Sequence, residues 1–355
     1  MKITRVTAWD VSMPMRSPYT IAYETFHSAE NVFVQINTTS GITGFGCAAP
    51  DAHVTGETPE CVRAELESAA RTVLVGHDPT RIAWLLQRLS AVVPRSPSVL
   101  AAADMALYDI LGKYARLPVT SLLGGFRRCM RTSVTVGILP VSETVEIAAE
   151  WVRRGFRALK LKGGRSVEED VERVHRVRER VGPKIELRFD ANQGYSRDDT
   201  MEFVTRTKSA RLEIIEQPTP KDHLRELGHI TRGVPIQVMA DESLVSMVDA
   251  YRLARRKLVD IMNIKLMKVG GISRAMQVDS VALSAGINVM VGCMDESALA
   301  IAAGLHFALS RPNVRYLDLD GHLDLIDDPA AGAVRLRAGT LYPAEGAGLG
   351  WEPAW

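Results

Sequence analysis

The sequence predicts an α/β protein: a (β/α)7β-type TIM barrel preceded by an α+β capping domain. Three observations carry that reading. The chain has 355 residues, more than the ~250–300 at which a single core stops growing. Alternating and helical patterns mix before residue 125, as in an α+β unit. After the LLGG at 122–125, strand and helix patterns alternate at a steady interval, as barrel units do.

Taken in order, Lys2–Asp10 and Val32–Thr38 alternate apolar and polar residues as half-buried strands do, and the turn-rich SGITGFG follows the second. Helical periodicity then marks Thr58–Val75, Pro79–Leu89 and Ser98–Tyr114. The barrel strands are expected at Thr132–Val136, Ala158–Lys162, Ile185–Asp190, Leu212–Glu216, Ile236–Ala240, Ile261–Ile264, Ile287–Val291 and Val314–Asp318. Helical patterns such as Glu143–Arg153 and Val167–Arg180 lie between them. The tail from about Asp327 is rich in Gly and Pro with a weak strand signal. The expected domains are therefore 1–124 (cap), 125–326 (barrel) and 327–355, the last packing back on the cap.

Formal net charge is +1 and both signs are mixed along the chain, which leaves no electrostatic footprint for nucleic acid or an anionic membrane. The N-terminus alternates like a strand and lacks a signal-peptide core, and the longest apolar stretch, near Leu299–Leu309, is shorter than the ~18–20 residues a span needs. A cytoplasmic protein, assembled as a homo-oligomer, is expected. Cys47, Cys61, Cys129 and Cys293 have no CxxC spacing, so reduced thiols, with no disulfide and no zinc, are expected.

The strand ends carry the chemistry. In ALKLKGG, Lys160 and Lys162 are two apart and so share one face of a strand. The next strands end in Asp190 with Asn192 following (FDANQGY), Glu216 (IIEQP) and Asp241 with Glu242 (MADES), one βα unit apart each time. Strand six runs into Lys265 (NIKLMKVGG), strand seven into Asp295 and Glu296 (GCMDES), and strand eight into Asp318 and Asp320 (YLDLDGH). In a barrel these ends converge on one mouth. Three oxygen donors on neighbouring strands, without Cys or His, suit a hard cation such as Mg²⁺. Lysines on strands two and six face that trio from opposite sides. Such a site can remove a proton beside a carboxylate and return it to the other face, through an enediolate whose charge the cation offsets. Lys160, beside Lys162, would act as an auxiliary charge that lowers its neighbour's pKa. A Schiff-base aldolase would also use a barrel lysine, but it would not need three rim carboxylates.

In order along nearly the whole chain, these motifs resemble the enolase superfamily in its muconate-lactonising subgroup. The resemblance implies Asp190, Glu216 and Asp241 as magnesium ligands, with Asn192 and Glu242 supporting them, and Lys162 and Lys265 as paired acid/base groups. Lys268 matches no catalytic position. N-acylamino acid racemases, o-succinylbenzoate synthases and cycloisomerases share this frame. The DLD of Asp318 and Asp320, however, resembles the D-x-D with which dipeptide epimerases hold a substrate's α-ammonium group. The resemblance further implies two lid segments in the cap, at about 17–28 and 48–57. In the first, Glu24 stands where Ala-Glu enzymes carry an arginine. With Asp51, Asp295 and Glu296 it predicts a pocket for a cationic or hydrophobic rather than an acidic dipeptide.

Overall fold

The computed structural model describes residues 1–22 and 24–353. Tyr23, in the first lid segment, and Ala354 and Trp355, in the tail, lie outside the described residues. Strands β1 (Ile3–Thr20), β2 (Thr25–Thr38) and β3 (Thr43–Ala48) form an antiparallel sheet in that order. The first two run well beyond the alternating stretches, so the lid segment expected at 17–28 is the tip of a long hairpin. Its outer arms read as polar because only a small satellite core supports them: Met13, Ala29 and Leu325, with Val11 and Met15 alongside. Met15 bridges to Leu325, the Arg16 N–H donates to Asp324 O (2.9 Å) and the Ile326 N–H to Pro14 O (2.8 Å).

The helix expected at Thr58–Val75 is broken by a π turn over Leu66–Ala70, between Pro59–Glu65 and Arg71–Leu74. The Thr58 hydroxyl starts it by accepting from the Cys61 N–H. Helices Ile82–Val92 and Pro97–Ala115 complete the cap. The second is buried without a break from Ser98 to Ile110, because the β sheet covers one side and the barrel helices Leu266–Val269 and Ile272–Ser284 cover the other. Gly46 permits that contact: a Cβ there would lie 2.0 Å from Ala102 O.

After a short strand β4 (Met130–Arg131), the barrel comprises β5 (Val134–Val136), β6 (Ala158–Lys162), β7 (Glu186–Asp190), β8 (Ile214–Glu216), β9 (Gln237–Ala240), β10 (Ile261–Lys265), β11 (Asn288–Gly292) and β12 (Val314–Asp318). All eight are parallel neighbours in chain order, with helical crossovers between them. The first strand is shorter than Thr132–Val136. Ser133 instead closes the barrel, its N–H donating to Leu317 O (3.1 Å), while Thr132 Oγ1 accepts from the Leu319 N–H (2.9 Å). Two tail strands, β13 (Val334–Arg337) and β14 (Thr340–Pro343), pair with each other and then with β4. Beyond them Trp351 meets Phe45 edge-on at 5.3 Å, and Glu352 reaches Lys113 at 2.7 Å.

Strand alternation fixes what fills the barrel. Ile214, Met239, Ile261 and Met290 form a dry layer inside it, with Tyr316 against them. Two residues further along each strand come Glu216, Asp241, Asn263, Gly292 and Asp318, so the layer above is polar. Truncating the buried Ile261 to Ala would cost ~2–5 kcal/mol and loosen the floor of that layer. Among the described residues, no helix is long and apolar enough to cross a membrane.

Candidate active site

Each charged group at the mouth sits at a strand end where register brings it beside the next. Lys162 pairs in register with Asp190, and Asp190 with Glu216. Lys162 Nζ lies 2.8 Å from Asp190 Oδ2, and Lys160 Nζ lies 3.0 Å from the same oxygen. Lys160 also reaches Glu216 Oε2 at 2.7 Å and Asp318 Oδ2 at 2.8 Å. Burial opposes its charge, yet Asp190, Asp318 and Glu216 hold the Lys160 pKa well above the usual lysine value. Lys160 is therefore a fixed cation, with a carboxylate between it and Lys162.

Across the mouth, four strands round the barrel, Lys265 Nζ lies 2.9 Å from Asp241 Oδ2. Asp241 Oδ1 and its carbonyl both accept from Lys268, which is wholly buried. Burial works against the Asp241 carboxylate, but Lys265 and Lys268 hold its pKa well below the carboxylate range. Asn263 Nδ2 donates to Glu216 Oε1 (2.7 Å). Asn263 was missed in the sequence, although it shares the inward face of β10 with Lys265, two residues away. Gly292 leaves room for it, since a Cβ there would meet Asn263 Oδ1 at 2.5 Å. Asn192 donates to Glu242 Oε1 (3.3 Å), and its N–H to Asp190 Oδ1 (2.9 Å), so both expected supporting residues flank the trio.

Asp190, Glu216 and Asp241 fit a hard divalent cation by donor chemistry. Burial, then Asp190, pushes the Glu216 carboxyl up to about 8. Its Oε2 makes no well-angled hydrogen bond despite the Lys160 contact. Glu216 Oε2 is thus a buried oxygen that the surrounding ammonium groups leave without a well-aligned donor, and a divalent ion would satisfy it. Among the described residues, no group of three His, Cys, Asp or Glu side chains stands at metal-ligand spacing; a lysine ammonium lies against each of the three carboxylates.

Above lies a cavity of about 350 Å³, lined by Lys160, Lys162, Lys265, Asp318, Asp320 and the two cap segments. Asp318 is held by Ser133 Oγ (2.6 Å) as well as Lys160, and Asp320 Oδ2 accepts from the Thr135 N–H (2.5 Å). Burial and Asp318 raise Asp320 to about 7. Glu24, Asp51 and Asp295 all line the cavity. Glu24 lies 3.5 Å from His53 Nε2, and Asp51 Oδ1 accepts from the His53 and Val54 N–H groups, shaping the second lid turn. Burial raises Asp295 to about 6 against the pull of Lys162 and Lys265. Glu296, expected at the substrate, does not line the cavity: its Oε1 turns back to accept from the Met294 N–H (3.1 Å). Tyr19, within the first lid segment, also lines the cavity, and several lining residues were not singled out in the sequence, among them Thr135 in the first barrel strand and Asp324 after strand eight; neither continues the charged strand-end pattern that marks the others.

Residues 3–124 match the family described as mandelate racemase / muconate lactonizing enzyme, N-terminal domain, and residues 143–355 match the enolase C-terminal domain-like family. The chain belongs to the mandelate racemase/muconate lactonizing enzyme family. Within that family it is 42% identical to an L-Lys-D/L-Arg epimerase of Desulforapulum autotrophicum over 99% of each chain. A crystal structure of a dipeptide epimerase from Enterococcus faecalis, with Mg and L-Leu-L-Tyr, is similar at a TM-score of 0.96, 36% identity and 99% of each chain. One from Methylococcus capsulatus, with Mg and L-Arg-D-Lys, is similar at 0.93, 39% and 99% of each chain.

Proposed function

We propose that this chain is a dipeptide epimerase, an isomerase that inverts the α-carbon of the C-terminal residue, with a preference for cationic dipeptides. The observation that carries the chemistry is the half-barrel separation of Lys162 and Lys265 about one cavity. A lysine in its neutral form takes the α-proton from one face, and the opposite ammonium returns a proton to the other. The two exchange roles for the other epimer, so no net proton is consumed. Asp190, Glu216 and Asp241 would hold a divalent ion of the Mg²⁺ kind, which when bound offsets the charge that grows on the substrate carboxylate as its proton leaves. Lys160 stays cationic and braces Asp190, Glu216 and Asp318. Asp320, beside Asp318, offers negative charge to the α-ammonium group, which separates this reading from a racemase of N-acylated amino acids.

The cationic preference rests on Glu24, Asp51 and Asp295 around one cavity, where like charge opposes an acidic side chain and favours Lys or Arg. The name of the Desulforapulum relative and the L-Arg-D-Lys bound in the Methylococcus structure support it. The test is a dipeptide library incubated in D₂O with Mg²⁺ and read by mass spectrometry for one-unit exchange at the α-carbon. Exchange should be strongest for dipeptides containing Lys or Arg. Exchange confined to N-acylated amino acids would overturn the dipeptide reading, and a preference for Ala-Glu over Ala-Lys would overturn the cationic one.

A further inference from the structure

Three consecutive carbonyls at the tip of the hairpin accept hydrogen bonds from the barrel. Thr20 O takes the Ile138 N–H (2.8 Å), from the loop after β5. Ile21 O takes Arg165 Nη2 (2.8 Å), and Ala22 O takes Arg165 Nε (2.9 Å), both from the loop after β6. Among the described residues, no carboxylate pairs with Arg165; its donors face the hairpin backbone. Guanidinium is suited to this task, because its planar fork offers two parallel N–H groups at a fixed spacing.

The base from which Arg165 reaches is rigid. The Gly164 N–H donates to Asp170 Oδ2 (2.8 Å), which also accepts from Tyr195 Oη (2.6 Å), while Arg173 holds Asp170 Oδ1. On the other side, Ser166 caps the helix Val167–Val181. Arg165 is thus fixed three residues after Lys162 on the same strand-to-helix turn. The hairpin it grips carries Tyr19 and Glu24 over the cavity, and the Ile21 N–H in turn donates to Glu24 O (2.9 Å).

We propose that Arg165 is a positioning residue: it latches the hairpin over the mouth and so sets where Tyr19 and Glu24 meet the substrate. The part that concerns substrate rests on the dipeptide reading above; the latch itself does not. Arg165 touches neither substrate nor the reacting atoms, so its loss should act on retention of the substrate and not on proton transfer.

The experiment compares wild type, Arg165→Ala and Arg165→Lys in two assays. The first is chymotrypsin cleavage after Tyr19 or Phe26 in the substrate-free protein, followed by mass spectrometry. The second is steady-state epimerisation of a cationic dipeptide. In Arg165→Ala, cleavage should quicken about tenfold and KM rise about tenfold, with kcat within about twofold, as loss of a charged donor from two acceptors implies. Arg165→Lys, a single point donor, should fall between the two and fold even if Arg165→Ala does not. Unchanged cleavage and KM in both variants would overturn the proposal. So would a fall in kcat at constant KM, which would assign Arg165 to the chemistry. If the wild type turns over no dipeptide, the functional reading fails, while the cleavage assay still decides the latch.

Discussion

Asp190, Glu216 and Asp241, at the ends of β7, β8 and β9, are at most 1% exposed, and a lysine ammonium lies within 3.0 Å of each. On the rim above them, the Glu24 side chain is 39% exposed and its ion contact is a 3.5 Å approach to His53, itself 63% exposed. Asp241 of the inner set and Glu24 of the outer line one cavity, yet parallel strand register dictates the inner set and the two lid segments carry the outer. A charge in the inner set acts in a dry, crowded place where removing it leaves a buried partner uncompensated. A charge on the rim acts through water and contributes selectivity in small increments. Chemistry and choice of substrate are therefore separable by mutation.

The largest effects should fall on the inner set. Stripping divalent ions with EDTA should lower turnover by at least about a thousandfold, with Mg²⁺ restoring it, since several kcal/mol of charge stabilisation are lost. Full activity in metal-free protein would break the contrast at its root. Next, Lys162→Ala and Lys265→Ala should each reduce epimerisation by about 10²–10⁴-fold, yet retain α-proton exchange with D₂O from the one epimer facing the surviving lysine. A variant that epimerises near the wild-type rate would remove that lysine from the mechanism.

Asp295 lies between the two sets, and it sharpens the comparison. With its pKa raised by burial to about 6, it is charged above that pH and neutral below it. The ratio of kcat/KM for a cationic over a neutral dipeptide should therefore fall as pH drops through about 6. Asp295→Asn should flatten that dependence and lower the ratio at neutral pH by about tenfold. A ratio that follows pH identically in both proteins would exclude Asp295 from recognition. The smallest change is expected on the rim: Glu24→Arg should shift preference from Ala-Lys toward Ala-Glu by only a few-fold at low salt. A hundredfold shift would mean that the lid is drier during turnover than the exposure of Glu24 implies.

The same division explains what the sequence disclosed. Barrel strands alternate inward and outward, so ALKLK, FDAN, IIEQ and MADE announced both their elements and their inward charges. All eight strands overlap the stretches that the pattern marks, with the first and fourth starting two residues later than expected. Asn263 follows the same rule and could have been found by stepping back two residues from Lys265. The hairpin gave no such signal beyond Asp10, because the only apolar side chains its two outer arms bury are Met13 and Ala29, and bonds from distant loops to its backbone hold the rest. Glu296 shows the opposite failure. Its place at a strand end predicts a carboxylate facing the mouth, but the Met294 N–H in the same turn engages its Oε1.

The ties between Arg16 and Asp324, and between Pro14 and Ile326, join segments from nearly opposite ends of the chain. Contacts so distant in sequence form late, because a long loop must close before they are rewarded. During synthesis the first hairpin leaves the ribosome early, but the arms around Pro14 and Arg16 have no Asp324–Ile326 turn to rest on until strand eight and that turn have emerged. A nascent chain halted before residue 314 should therefore carry Lys162, Lys265 and the carboxylate trio while the hairpin arms around Pro14 and Arg16 remain open to protease. Protection of that hairpin in the halted chain would show that the early-made parts close the mouth by themselves.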